Sequence, residues 1–286
     1  MFSRRHLILL LVFLTIFDFF VWSEIVFGKV RIANKKLEVY FLDIGQGDSE
    51  LINLAGGVQI LIDGGPNKKI LDELASILPT TDRYIDLIVL SHPQYDHFAG
   101  LIDVFKRYQV GAFIYSGRKG EIKAFEDLEK VIKENKIKTI VLTQGDKIKY
   151  QNNQFSILSP SEDFLKSKEL NDTSLVISLQ SEKAKFLFTG DIGFAVENYL
   201  TKNFDLKSDV LKVAHHGSKY SSSEEFLKKV NPKISVIEVG KNSYGHPTNR
   251  ALNGLALVGS RVFRTDNDGT VKLVISEDKI GIFKRK

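Results

Sequence analysis

Five of the six histidines in this 286-residue chain stand just beyond short apolar runs. Ile88-Val89-Leu90 leads into Ser91-His92-Pro93-Gln94-Tyr95-Asp96-His97, and Val213-Ala214 leads into His215-His216-Gly217-Ser218. Ser243-Tyr244-Gly245-His246-Pro247 follows the apolar run of residues 234–239. Phe186-Leu187-Phe188-Thr189-Gly190-Asp191 repeats the pattern with a carboxylate in place of imidazole. Runs this short and apolar read as buried strands. If the strands are neighbours, every candidate ligand converges on one edge of a layered domain, which random surface placement of histidine would not give.

The chain has no cysteine, so a thiolate nucleophile, a disulfide scaffold and thiolate metal ligands are all excluded. A metal here must be held by His, Asp, Glu or amide oxygen. Two His and an Asp within six residues, in a loop where strand pairing stops, suit zinc, manganese or iron. Gly190 allows a tight turn before Asp191, and an Asp in that place can bridge two cations. The net charge of +5 is compatible with a polyanionic partner but does not single one out.

Ser3-Arg4-Arg5-His6 is a basic stretch, and residues 7–27 are almost wholly apolar. As a helix those 21 positions span roughly 31 Å, about one bilayer core. Asp18 weakens the segment without cancelling it. Residues 1–28 are therefore expected to be a signal anchor or signal peptide, with the membrane contacted through residues 7–27. The rest is expected outside the cytoplasm, tethered to the cell membrane or secreted if the segment is cleaved. No Pro-, Gly- or Ser-rich linker interrupts residues 37–286, which read as one α+β domain. Strands are predicted over 38–42, 49–53, 59–62, 87–90, 175–179, 185–189, 210–214 and 234–239. Helices are predicted over 68–78, 100–108, 121–134, 193–202, 223–229 and 249–257. The Lys-rich stretch 119–149 reads as a solvated helix face with flanking turns, the alternative being a polyanion contact.

Taken together, these motifs resemble the metallo-β-lactamase superfamily, whose signature is H-x-H-x-D-H followed by distant His, Asp and His. More narrowly they resemble the metallo-β-lactamase-like domain of ComEC-type competence proteins. The matches are Phe41-Leu42-Asp43-Ile44-Gly45-Gln46-Gly47-Asp48-Ser49, Leu61-Ile62-Asp63-Gly64-Gly65 and the His92–His97 motif. They continue through Asn171-Asp172-Thr173-Ser174-Leu175-Val176, Thr189-Gly190-Asp191, His215-His216-Gly217-Ser218 and Tyr244-Gly245-His246-Pro247.

The resemblance implies a four-layer αββα sandwich with one or two divalent ions, Zn or Mn, at its edge. Asp96, His97, Asp191 and His246 are implied for one ion. His92, Asp191 and one of His215 or His216 are implied for the other, with Asp191 bridging. The family's usual second His falls on Gln94, and its mid-chain His falls near Asn171. Both amides are weaker ligands than imidazole, so the His92 side is expected to be looser. Asp63 is expected to brace the metal loop by hydrogen bonding, and Asp43 and Asp48 to serve as turn and capping residues. Asp96, His215 and His216 are the candidate catalytic residues, one of the adjacent histidines being available to protonate a leaving oxygen.

The implied activity is metal-dependent hydrolysis of a phosphodiester, with DNA the leading substrate. The alternatives are another extracellular ester, such as a phosphocholine or cell-wall phosphodiester, or a degenerate binding module without catalysis.

Overall fold

The computed structural model describes residues 4–26, 36–276 and 279–286. Helix α1 covers Arg4–Val26. Its side chains from Ile8 to Leu11 and at Phe13, Phe17, Phe19 and Phe20 are exposed. Among the described residues no helix is long and apolar enough to cross a membrane. Residues 27–35, around the expected boundary after residue 28, lie outside the described residues.

The remainder begins with strands β1 (Glu38–Phe41), β2 (Glu50–Asn53) and β3 (Gln59–Ile62), then helix α2 (Lys69–Ile77). Strand β4 (Tyr84–Val89), helix α3 (Tyr95–Arg107), β5 (Gln109–Tyr115), α4 (Lys123–Glu134) and β6 (Lys138–Val141) follow. The second half runs β7 (Lys147–Tyr150), β8 (Asn153–Ser159), α5 (Glu162–Leu165), β9 (Val176–Gln180), β10 (Lys185–Phe188), α6 (Phe194–Asn203) and β11 (Val210–Lys212). It closes with α7 (Glu224–Val230), β12 (Ile234–Ile237), α8 (Asn249–Leu257), β13 (Arg261–Arg264), α9 (Thr265–Asp268), β14 (Thr270–Ile275) and β15 (Ile280–Arg285).

One sheet has the order β15-β14-β1-β2-β3-β4-β5-β6 and the other β13-β12-β11-β10-β9-β8-β7. Alternation along the strands sorts side chains into three apolar layers. Val39, Phe41, Ile52, Phe186, Phe188, Val210 and Val236 fill the space between the sheets. The opposite parity (Leu51, Leu61, Ile88) packs under α2, α3 and α4. On the other side Leu187, Leu211 and Ile237 pack under α6, α7 and α8. Two sheets flanked by helices on both outer faces agree with the expected sandwich.

The Lys-rich stretch differs from its expected reading. Besides α4 it contributes β6 and β7, each at the end of its sheet's order. Lys123, Lys130 and Lys133 lie on the exposed face of α4 as expected, while Lys138, Lys147 and Lys149 fall on the two edge strands, where lysine discourages pairing with another chain. Helix α3 also starts earlier than expected, at Tyr95, which places Asp96 and His97 in its first turn.

That first turn is held against the loop after β3. Gly64 N donates to His97 O at 2.7 Å and Gly100 N to Gly65 O at 2.9 Å. A Cβ on Gly100 would lie 2.1 Å from Gly64 O and 2.7 Å from Asn67 O, so only glycine allows this approach. Gly47 plays the same part from the other side, where a Cβ would lie 2.2 Å from Asp96 O. Gly100→Ala is expected to cost about 1–3 kcal/mol through overpacking. Thermal unfolding checks this: the melting temperature should fall by several degrees, and an unchanged value would show that α3 docks more loosely than described.

Candidate metal centre

The loops after β3, β4, β10, β11 and β12 emerge at one end of the sandwich, and with the first turn of α3 they carry every singled-out His. After β3, Asp63 adopts a left-handed conformation at φ 53°. Its Oδ1 accepts from Ser91 N at 2.7 Å, and its Oδ2 accepts from Ser91 Oγ at 2.6 Å. Oδ2 also lies 2.8 Å from His97 Nδ1. Asp63 therefore fixes the His97 ring with Nε2 pointing away from it, the bracing role expected from the sequence.

Asp191, at the end of the turn after β10, is the point of convergence. Its Oδ2 lies 3.4 Å from His97 Nε2, 3.5 Å from His216 Nε2 and 4.0 Å from His215 Nε2. His216 Nε2 lies 3.4 Å from Asp96 Oδ2. One ligand atom from each of Asp96, His97, Asp191 and His216 falls within 4.8 Å of the others. His215 and His216 both take left-handed backbone angles, at φ 51° and 53°. Such conformations cost about 1–3 kcal/mol each, and here they turn adjacent rings toward the same carboxylate.

The electrostatics follow from burial among acids. Burial pushes His97 and His216 down, but neighbouring carboxylates outweigh it: Asp191, Asp63 and Asp96 for His97, and Asp191 and Asp48 for His216. His97 lies well above the ordinary value and His216 at about 10. Burial pushes Asp191 up, yet His216, His97 and Lys212 hold it well below the usual carboxylate range. Burial lowers His92 to about 3, and His246 to about 4. Cations are favoured over Asp96 and Asp191, while His92 and His246 stay neutral and able to donate a lone pair.

Buried His92 Nε2, His97 Nε2 and His246 Nδ1 have no hydrogen-bond partner among the described residues, and Asp191 Oδ2 lies within 3.4–4.0 Å of three imidazole Nε2 atoms. Unpaired buried donors and acceptors are costly. Imidazole and carboxylate atoms left open toward one another are the donor set a divalent ion takes, and the residues fit one. A cavity of about 460 Å³ opens above them, lined by residues that include Gln94, Tyr95, Asp96, Asp191, His215 and His246.

A ligand atom of His216 joins those of Asp96, His97 and Asp191. His246 stands on the cavity wall, its ring 5.6 Å from that of His215. His92 is fully buried behind His97, with the ring centroids 4.1 Å apart. Gln94 and Asn171 bond to each other, Gln94 Nε2 donating to Asn171 Oδ1. Asn171 Nδ2 lies 3.3 Å from His215 Nδ1. With the amide donating, the His215 proton sits on Nε2, facing Asp191.

Asp48 also departs from expectation. Asp43 is indeed a loop residue, paired with Lys69 at 2.9 Å. Asp48 instead is buried, bonded to Lys212 and 3.2 Å from His216 Nδ1. Lys212 and Glu238 join it beneath the site and were not singled out from the sequence. A lysine inside the apolar run Val210-Leu211-Lys212-Val213 was the available signal.

With this geometry the chain belongs to the metallo-beta-lactamase superfamily, whose pattern it matches over residues 42–240. It is 30% identical over 268 residues to ComE operon protein 3 of Bacillus subtilis, covering 86% of this chain and 34% of that protein. It is also 30% identical over 258 residues to Recombination protein 2 of Haemophilus influenzae, covering 88% of this chain and 30% of that protein. The chain thus spans about a third of the length of these curated relatives. Among solved structures it resembles the metallo-beta-lactamase fold protein YhfI of Bacillus subtilis, with a TM-score of 0.58 at 12% identity, covering 84% of this chain and 100% of the other. The fold is that of a metal-dependent hydrolase, and the domain is similar to a part of these competence and recombination relatives.

Gln94→His restores the superfamily's H-x-H-x-D-H spacing and replaces an amide that now bonds Asn171. We expect the variant to bind zinc more tightly on the His92 side. Activity should fall as His215 loses the Gln94–Asn171 support. Titration of wild type and variant against a chelating dye checks this, and identical zinc affinity and stoichiometry would mean that position 94 does not reach the ion.

Proposed function

We propose that this chain is an exported or membrane-anchored phosphodiesterase that cleaves DNA. The observation that carries the reading is the Asp96–His97–Asp191–His216 cluster at the floor of an open cavity walled by Tyr95 and Tyr244. The two tyrosines are 51% and 73% exposed, enough to offer ring faces to a polynucleotide's bases. The names of the competence and recombination relatives favour the same polymer.

Asp96, His97, Asp191 and His216 would hold a divalent ion, Zn or Mn, with His92 and His246 available beside them. When bound, the ion lowers the pKa of a water and screens the charge developing on phosphate. The protein groups do the rest. Asp63 holds the His97 ring. Asp48 and the Glu238 carbonyl, 2.8 Å from His216 Nδ1, hold the His216 ring. His215, part-exposed with its proton on Nε2, can donate to a leaving oxygen.

Outside the domain, the apolar run of residues 7–27 behind Arg4 and Arg5 supports anchorage with the domain outside the cytoplasm. An enzyme reporter active only in the cytoplasm, fused after Lys286, should be silent. Full reporter activity would refute the topology and leave the site untouched.

Asp191→Asn keeps the shape and removes the charge on which three imidazoles converge. Bound metal and hydrolysis of both linear DNA and bis-nitrophenyl phosphate should be lost, by roughly a hundredfold or more in rate, without unfolding. Retained metal and activity would remove Asp191 from the site. Wild-type cleavage of bis-nitrophenyl phosphate without cleavage of DNA would favour the smaller extracellular ester.

A further inference from the structure

Strand parity sends an ammonium into the apolar space between the sheets. Val210 faces the inter-sheet core and Leu211 the helices, so Lys212 again faces inward. Its side chain is fully buried. Nζ donates to Gly190 O at 3.0 Å, bonds Asp48 Oδ2 and lies 3.7 Å from Asp191 Oδ1. The ammonium thus touches the backbone just before Asp191 and the side chain of Asp191 itself. It also touches Asp48, which lies against the His216 ring.

We infer that Lys212 is the positioning residue of the metal centre, occupying the interior side of Asp191 so that this carboxylate presents only Oδ2 to the His97–His216 cluster. The distances divide the carboxylate in this way. Oδ2 lies within 3.4–4.0 Å of three imidazole Nε2 atoms. Oδ1 faces the ammonium. A planar carboxylate with an ammonium against one oxygen cannot swing that oxygen toward a cation on the far side without leaving a buried charge unpaired. The same ammonium pins the Gly190 carbonyl, so the turn cannot compensate by rotating. Gly190 itself stands in the left-handed region, with φ at +51°. A neutral side chain at position 212 would fill the volume and release both constraints.

The inference rests on the cluster being a metal site, the reading proposed above, and its test separates the two. Cobalt(II) is loaded in place of the native ion, because its visible absorption weakens as the number of ligands rises. Wild-type protein should bind cobalt and show the stronger band. Lys212→Met frees Asp191 to offer both oxygens. It should bind cobalt at least as tightly, since a positive charge is gone, while its band weakens. Its kcat for bis-nitrophenyl phosphate should drop by roughly tenfold or more, with KM little changed, as expected for a misplaced reacting group.

A role in stability alone would give a different pattern, with lowered melting temperature and weaker cobalt binding but an unaltered band. That pattern, or a folded variant with wild-type band and kcat, overturns the inference. If Lys212→Met does not fold, Lys212→Gln removes the charge while keeping a hydrogen-bond donor for Gly190 O and Asp48. In that protein the weakened band and low kcat should persist, and their return to wild-type values would overturn the positioning role. Failure of wild-type protein to bind cobalt at all would instead overturn the metal-centre reading on which the inference stands.

Discussion

The buried ion pair between Asp48 and Lys212 is the constraint around which the active end of this sandwich is arranged. An unpaired charge between two apolar sheets costs several kcal/mol. Here the cost is met by parity. Glu50 shares its face of β2 with Ile52, and Glu238 continues the inward-facing set Ile234 and Val236 of β12. The acids and the lysine are therefore delivered to one place by the alternation that builds the core. Burial, followed by the neighbouring carboxylates, raises Glu50 to about 8 and Glu238 well above the ordinary value, so both are mainly neutral at pH 7. Asp48 is left as the charged partner: burial pushes it up, but Lys212 and His216 pull it below the usual range.

That arrangement orients the metal-facing groups from behind. His216 is held at Nδ1 by Asp48 and the Glu238 carbonyl, and His97 at Nδ1 by Asp63. In each case the opposite nitrogen is turned to Asp191. Two rings steered by carboxylates on their outer nitrogens are more basic ligands than free imidazole, and their tautomers are fixed.

Much of this was legible in the sequence because it is local. An apolar run ending in Gly-Asp or His-His announces both a buried strand and a loop at its end, and the predicted strands 38–42, 59–62 and 185–189 agree with the observed ones within a residue. The bracing role of Asp63 and the placement of five of the six histidines at one end followed from the same reasoning. What could not be read is nonlocal. Asp48 sits among turn-forming glycines and looks like a cap, but its partner is 164 residues away. The approach of His216 to Asp96 and Asp191 depends on two left-handed residues, 215 and 216, and on Asp48 reaching the Nδ1 of His216. Strands β6 and β7 were hidden because edge strands carry lysine and need not bury both faces.

The site is also asymmetric, and its asymmetry follows from what stands behind each ligand. Behind His97 and His216 are carboxylates that raise both rings. Behind His215 is Asn171, itself held by Gln94, and that relay of neutral amides orients a ring without charging it. Burial leaves His215 below its ordinary value. A cation therefore finds its strongest electrostatic well between Asp96 and Asp191, while the Gln94–Asn171 side offers dipoles only. With amides where the superfamily pattern has two imidazoles, that side offers weaker ligands and the amides take a different task. They hold the one part-exposed histidine with its proton toward the cavity, where a substrate's leaving oxygen would need it.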